Sequence, residues 1–598
     1  MQIFRILLTI SLALITSLGP PGAWASNQLA GHPSPYLALH ADDPVNWRPW
    51  QASVFQDARK DKRLVYVSVG YFSCHWCHVM QQESYQDEGI AKLLNQGYIA
   101  VKVDRELDPD LDRRLIEFVE KTRGAAGWPL NVFLTPDGHP IAGFTYLPSN
   151  DFANVLQELD DTWQKNQDQL AGAARDFFET QMQDQENQAF LAPQIPSQEM
   201  IGAFISQTML LADELQGGIG NTSKFPNVPQ FDTLLTIIQQ NPELDTDVVD
   251  FVQLTLHMMA SKNLQDHVNS GFFRYTTDPD WYTPHFEKML YDNAQLAMLY
   301  LRAHELWPDQ GHADIARRTL DFVEGNLKHP DGGYMSSLSA VDVDNKEGGA
   351  YFWSREQLSA VLDDQEVEYL SKLWPVETKK GEFLIKPLTG QGASGEPAKN
   401  LLILEKLQSR GSKSMPVDDK RLASWNAMML DALTMASEID SRYVERARAL
   451  FRYMRNNFYD ADSLIRFAGN AETADAVLED YAQVAKSFLN FGKRFDSEEA
   501  TRLAMQLTES AYARFVKDGR WQQKAESLIP IAPGKWIIPD QVFFSPMTLW
   551  IEVALEAPGL NPVVRAGANE MLQRATRDML DSPYLYGSFI ILRANNHG

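Results

Sequence analysis

At 598 residues the chain exceeds what one hydrophobic core usually supports, so at least two domains are expected. Its 44% hydrophobic and 22% charged residues are ordinary for a soluble globular protein. The net charge of −25 argues against non-specific nucleic-acid binding and against docking on anionic lipid, and is otherwise a source of solubility that names no partner.

Residues 1–25 read as a secretory signal. Arg5 precedes the apolar stretch Ile6 to Leu18, Gly19-Pro20-Pro21-Gly22 breaks it, and Ala23-Trp24-Ala25 fits a cleavage site that leaves Ser26 at the new N-terminus. The expected location is therefore periplasmic or secreted, with no stable membrane span after signal removal, because no later stretch reaches about 18 uninterrupted apolar residues.

Leu64 to Gly70 is a strand of β-branched and aromatic residues, and Tyr71-Phe72-Ser73 leads from it into a helix running from Cys74 to about Tyr85. A helix over Glu88–Asn95, a strand over Tyr98–Val103 and a helix over Pro109–Lys121 capped by Asp108 follow. After the Gly124–Gly127 turn, Leu130–Leu134 and Ile141–Leu147 form a hairpin about Pro136-Asp137-Gly138, and Phe152–Met182 is a long helix. This order is that of a thioredoxin-like α/β domain over residues 26–182, with Pro129 expected to be cis at the start of the third strand. The polar, proline-marked residues 183–197 are a linker candidate.

Residues 198–598 are read as all-α. Helical periodicity marks 198–215, 229–240, 246–262, 286–306, 312–327, 355–364, 424–438, 443–457, 477–493, 497–516, 546–556 and 562–580. Their pairing predicts a solenoid or a closed toroid.

The chain holds two cysteines, Cys74 and Cys77, which makes structural stapling a poor reason for the pair and reactivity a better one. At a helix N-terminus Cys74 is placed as an exposed nucleophile, and Cys77, one turn on, as the resolving thiol. His75 either tunes the thiolate when protonated or is a plain surface residue; Trp76 suits packing or client docking. Cys-His-Trp-Cys-His also satisfies the pattern for covalent c-type haem attachment, with His78 as axial ligand, although a motif directly after a buried strand weighs against it. Zinc would need ligands from elsewhere, since Cys74, His75, Cys77 and His78 cannot converge tetrahedrally from one helix. No cofactor and no metal is assigned.

Asn27 to Leu37, His40-Ala41, Asp43 to Trp47, Ser73 to Met80, Glu83-Ser84, Val103 to Glu106 and Gly127 to Leu130 together resemble a thioredoxin-domain family that includes spermatogenesis-associated protein 20 and its bacterial relatives. Ser223 to Pro226, Trp281, Pro284 to Ala294, Asp419-Lys420, Trp425-Asn426 and Leu478 to Ala482 extend the match through the second half. The resemblance implies a thioredoxin-like domain joined to an (α/α)6 toroid similar to six-hairpin glycosidases and N-acylglucosamine 2-epimerases. Departures at Leu107-Asp108, Val268 to Phe273, Leu338 to Asp344 and Pro539 to Pro546 fall around the presumed cleft and put a shared sugar chemistry in doubt.

In such a toroid Trp281, His285, Glu287, Asp292, Asp342, Asp344, Trp425, Glu479 and Asp480 are the cleft candidates. Paired carboxylates there would serve acid and base roles on a glycosidic bond, the tryptophans would stack on sugar faces in a non-catalytic carbohydrate or peptide site, or these groups cap helices and knit loops. Two functions stand: a thiol–disulfide oxidoreductase or isomerase whose toroid recruits a protein client or redox partner, and a carbohydrate-active or carbohydrate-binding protein, with a role in carbohydrate metabolism, that carries a regulatory disulfide.

Overall fold

The computed structural model describes residues 26–187, 196–373, 382–409, 415–460, 463–468, 474–530 and 534–596. The expected signal segment lies outside the described residues, as does most of the expected linker.

The N-terminal region contains α1 (Ala52–Asp61), β1 (Leu64–Gly70), α2 (His75–Met80), α3 (Glu88–Gly97), β2 (Tyr98–Asp104), α4 (Pro109–Arg123), β3 (Leu130–Leu134), β4 (Pro140–Phe144) and α5 (Ser149–Asn187). The sheet order is β2-β1-β3-β4. β1 pairs parallel with β2 from Leu64↔Tyr98 to Gly70↔Asp104, and antiparallel with β3 from Val65↔Leu134 to Val69↔Leu130. All seven residues of β1 are buried, as a central strand covered on both faces requires. Its side chains alternate: Val65, Val67 and Val69 pack with Val101, Leu115 and Val132 under α4, whereas Leu64 and Tyr66 face Trp47, Tyr85 and Phe152. Asp108 accepts the Leu111 amide at 3.3 Å, Pro109 opens α4, and Gly124 ends it at φ 83°. α5 bends at Asn166 (φ −137°) and extends to Asn187, five residues into the expected linker.

The second region is built on α6 (Ser197–Leu211), α7 (Val228–Gln240), α8 (Thr246–Ser261), α9 (Leu290–Leu306), α10 (His312–Asn326), α11 (Ala423–Ala436), α12 (Arg442–Asn457), α13 (Leu478–Phe495), α14 (Glu498–Phe515), α15 (Pro546–Glu556), α16 (Pro562–Leu572) and α17 (Gly587–Asn596). The helices α7, α9, α11, α13, α15 and α17 pack each on the next, and α17 packs back on α7, so the ring is closed. The partners α8, α10, α12, α14, α16 and α6 lie outside them. Sequence explains the two layers. α9 and α11 are buried on nearly every face, as inner helices must be, whereas α12 carries Arg442, Glu445, Arg446 and Arg448 on an outward face. The fold is thus a thioredoxin-like α/β unit plus an (α/α)6 toroid.

Several expected boundaries move. The helix expected from 286 begins at Leu290, because Lys288 and Met289 pair as a short strand with Leu338 and Ser337. The helix expected over 562–580 stops at Leu572 and resumes at Arg577–Asp581. The periodic segment 355–364 belongs to an inserted lobe with the helices Asp364–Leu373 and Pro397–Ser409 and its own small core of Trp353, Leu358, Val367, Leu370 and Ile403. α17, which closes the ring, was not expected: Phe589-Ile590-Ile591-Leu592 has the composition of a strand.

Candidate redox site

β1 ends at Gly70, and the chain turns through Tyr71-Phe72-Ser73 into α2. A Cβ on Gly70 would lie 2.2 Å from Tyr36 Oη and 2.8 Å from Cys77 Sγ, so the turn depends on glycine there. Cys74 is the N-cap of α2, its Sγ accepting the Cys77 amide at 3.2 Å. Cys74 and Cys77 form a disulfide with Cα atoms 5.3 Å apart. The Trp128–Pro129 peptide is cis, and Leu130, the next residue, pairs with Val69 one step before Gly70.

Cys74 is not exposed, contrary to expectation. Both cysteines are 2% accessible. The cover comes from the toroid: the Ala340 amide donates to Ser73 O at 3.1 Å, and Ser73 Oγ meets Met289 Sδ at 3.2 Å. Trp76, by contrast, is 45% exposed and packs against Tyr146 with ring centroids 5.0 Å apart. His75 turns toward the toroid, with Nε2 3.5 Å from Glu347 Oε2 and its ring 6.1 Å from that of His285. Burial and the charges of His285 and His78 lower its pKa to about 4, so His75 is uncharged at neutral pH and offers no positive charge to a thiolate in this closed state. His78 Nε2, the atom haem ligation would use, donates to Phe72 O at 2.8 Å.

The toroid's mouth meets this motif with a charged cluster. Glu287, 1% accessible, accepts from Tyr71 Oη at 2.9 Å and from Arg274 Nη1 at 3.2 Å, with His285 Nδ1 3.1 Å from its other oxygen. Burial alone would raise the Glu287 pKa, but His285, Arg274 and the Tyr71 hydroxyl outweigh it and hold it low. For His285 burial opposes charge, yet Glu287 and Glu347 win and the pKa is raised. Asp292 is pushed well up by burial despite Arg274, and its Oδ2 has no hydrogen-bond partner.

The remaining candidates belong to other networks. Trp281 is fully buried at φ 59°, donating to Gln216 O at 2.9 Å as a loop strut. Asp342 Oδ1 accepts the Asp344 and Lys346 amides, stapling the loop that carries Glu347, while Asp344 itself is exposed. Trp425 packs against Tyr291 at 4.7 Å. Asp480 accepts the Val477 amide and binds Arg466 at 2.8 Å, and Arg466 Nε reaches Glu106 O at 2.6 Å. Glu479 takes Ser424 Oγ at 2.7 Å, and burial raises its pKa. Sequence reasoning placed His285 and Glu287 together; it missed Tyr71, Arg274 and Glu347. It also missed a second clasp, in which Lys420 of the toroid pairs with Asp104 at 2.9 Å, Glu106 at 3.2 Å and Asp418. All four side chains are buried, and burial, against the pull of Lys420, raises Glu106 to about 8. Lys420 lay within the recognised motifs; nothing local marked Tyr71 or Glu347.

Between the two regions lies a cavity of about 270 Å³ lined by Arg105, Asp112, Trp128, Glu479, Trp521 and Phe543, with the Arg105 guanidinium 3.9 Å over the Trp128 ring. No group of three or more His, Cys, Asp or Glu among the described residues is arranged to hold a metal ion, and no described helix is long and apolar enough to cross a membrane.

Fold and site together define a two-part protein, a thioredoxin-like disulfide module seated on the mouth of an (α/α)6 toroid. Residues 26–182 match the family described as Thioredox_DsbH, "Protein of unknown function, DUF255". Human spermatogenesis-associated protein 20 is 33% identical over 533 residues, which span 78% of this chain and 67% of that protein. The chain belongs to the family of spermatogenesis-associated protein 20. Among solved structures, a GH76 alpha-mannanase of Bacteroides thetaiotaomicron is 12% identical over 66% of this chain and 95% of its own (TM-score 0.39). A DsbH oxidoreductase is 16% identical over 20% of this chain and 85% of its own (TM-score 0.17).

Proposed function

We propose that the chain is a thiol–disulfide oxidoreductase of exported location, acting through Cys74 and Cys77 on a protein client. The observation that carries this reading is the pairing of the chain's only two cysteines across the N-terminus of α2, with Cys74 Sγ accepting the Cys77 amide. The free amide and the helix dipole favour thiolate on Cys74 in the reduced form. A Cys74 thiolate attacks one sulfur of the client disulfide, and the other client sulfur leaves as a thiolate that takes up a proton. Cys77, deprotonated, then attacks Cys74 Sγ and expels the second client thiolate. The client gains two electrons and two protons; the dithiol loses them. The reverse sequence oxidises a client dithiol.

Trp76, exposed beside Tyr146, suits the docking of a client's apolar segment. The buried sulfurs require that the toroid face draws back as the client arrives. The test is insulin reduction by the dithiol form. Wild type is expected to be active and Cys74→Ser inactive; inactivity of a folded wild-type dithiol would overturn the reading.

The carbohydrate reading draws on one observation, the inter-region cavity with Trp128 and Trp521 beside Glu479. Glu287, one of the cleft carboxylates considered for a glycosidic bond, is already engaged by Tyr71, Arg274 and His285, which favours the redox reading.

A further inference from the structure

The cysteine pair is enclosed by ionisable groups from both regions, and those nearest to it form a chain. His75, the residue between the cysteines, has Nε2 3.5 Å from Glu347 Oε2. The other carboxylate oxygen of Glu347 lies 3.9 Å from His285 Nε2, and His285 Nδ1 lies 3.1 Å from Glu287 Oε1. Glu287 is fixed in turn by Arg274 and by Tyr71, three residues before Cys74. Two of these links join the thioredoxin-like region to the toroid. The stacking of His285 on Tyr275, with ring centroids 5.0 Å apart and planes at 12°, sets the orientation of its ring.

Most of the chain is sequestered from water. His285 is 5% and Glu287 1% accessible, while Glu347, on the loop Val341–Glu347, remains about one-third exposed. Glu347 is therefore the point where a proton enters or leaves. His285 Nδ1 and His75 Nδ1 make no aligned hydrogen bond in this closed oxidised form. None of these groups is needed to hold the disulfide, which its own helix positions.

We infer that the toroid supplies part of the redox centre: His285, which Glu287 fixes, and Glu347, which lies between His285 and His75, are positioning acid–base groups that set the protonation of Cys74 through His75. This rests on the redox reading only in that the pair must cycle to a dithiol. When a client dithiol reduces the disulfide, the Cys74–Cys77 bond breaks, the client's disulfide forms, and the two client protons pass to the two new thiolates. His75, Glu347 and His285 lie beside the pair to give or take up one of those protons, with Glu347 the member open to solvent.

The ionisable groups around the motif come from several elements: His75 and His78 on α2, Tyr71 before it, Tyr36 beside Gly70, Lys102 on β2, Arg274, His285 and Glu287 from the toroid, and Asp342, Lys346 and Glu347 on the loop Val341–Glu347. Of these, Glu347 and His285 have charged forms of opposite sign, and neither belongs to the Glu287–Tyr71–Arg274 hydrogen bonds. Removing each must therefore shift Cys74 in opposite directions.

The experiment is the pH profile of iodoacetamide alkylation of Cys74 in the reduced full-length protein, read by mass, for wild type, His285→Gln, Glu347→Gln and Glu347→Asp. The midpoint is expected to rise by about half a pH unit in His285→Gln and to fall by a similar amount in Glu347→Gln. Glu347→Asp, which keeps the charge, stays with wild type. Midpoints that coincide in wild type and Glu347→Gln, or that move the same way in both charge-removing variants, overturn the inference. Because Glu347 is about one-third exposed, its variants keep the test valid if His285→Gln fails to fold. Insulin reduction by wild type is scored separately: its absence, with the opposed shifts present, would sink the redox reading and leave the coupling standing.

Discussion

Gly70 shows how tightly the motif is built at the scale of one residue. A methyl group there meets Tyr36 Oη, the end of a fully buried ring, on one side and Cys77 Sγ, held by the disulfide, on the other. Gly70→Ala is expected to lower stability by about 1–3 kcal/mol, read as a reduced urea midpoint at unchanged slope. An unchanged midpoint would show that the turn has room the geometry denies. His75 carries a pH consequence. Its folded pKa, about 4, lies below the ordinary histidine value of 6.5, so folding is favoured above pH 6.5 by this group and that contribution is lost as pH falls toward 4. His267 and His312, each also lowered to about 4 by burial, add slopes of the same sign. At this scale the sequence was informative where chemistry is local. Cys74 and Cys77 are three residues apart and declare themselves, and Trp76 is exposed as a docking residue would be. The burial of Cys74 was not legible, because the residues that cover it, Met289 and Ala340, are more than 200 positions away.

Two clasps join the regions at the scale of elements, and each ties a loop after a strand to a toroid hairpin. In the first, Tyr71 bridges Glu287 and Arg274. Tyr71→Phe removes the bridging hydroxyl from a buried ion pair and is expected to cost about 1–3 kcal/mol in thermal or urea unfolding, without loss of the disulfide. A variant as stable as wild type would mean that Arg274 and His285 satisfy Glu287 without the hydroxyl. The second clasp sets three buried carboxyl groups about Lys420. Burial raises the folded pKa of Glu106 to about 8 from the ordinary glutamate value of 4.5, so its contribution to stability is full below pH 4.5 and is lost as pH rises through 8. Glu106→Gln, which stays neutral, is expected to flatten the decline in stability between pH 5 and 8 relative to wild type; parallel profiles would contradict the assignment. The elements themselves were readable when periodicity governs them. β1 sits where its run of β-branched and aromatic residues puts it, and α4 and α12 where amphipathic spacing does. Residues 284–289 were not, since Lys288 and Met289 become strand only by pairing with 337–338, and a helical pattern runs through them undisturbed. α17 was missed for a related reason: a ten-residue apolar helix buried on most faces leaves no period to detect.

In the whole molecule, the closed ring of inner helices presents one mouth, and the thioredoxin-like region fills it. One continuous hydrophobic core runs from Trp47, Tyr66 and Tyr85 through Phe286, Met289 and Tyr291 to Trp550, so the two regions are packed as one body. The resemblance predicted both folds but not this seating, which turns presumed cleft residues such as Glu287 into partners of Tyr71 and leaves a cavity of about 270 Å³ at the side. A redox centre so enclosed must still exchange electrons with its surroundings if it is catalytic. The most direct test is to equilibrate the full-length protein in glutathione buffers of graded potential and count alkylated thiols by mass. The account predicts a reversible two-electron transition, Cys74 and Cys77 changing together, within the span of catalytic couples from about −120 to −270 mV. A disulfide that stays closed until below about −300 mV, as structural bridges do, or that opens only when the protein unfolds, would contradict it.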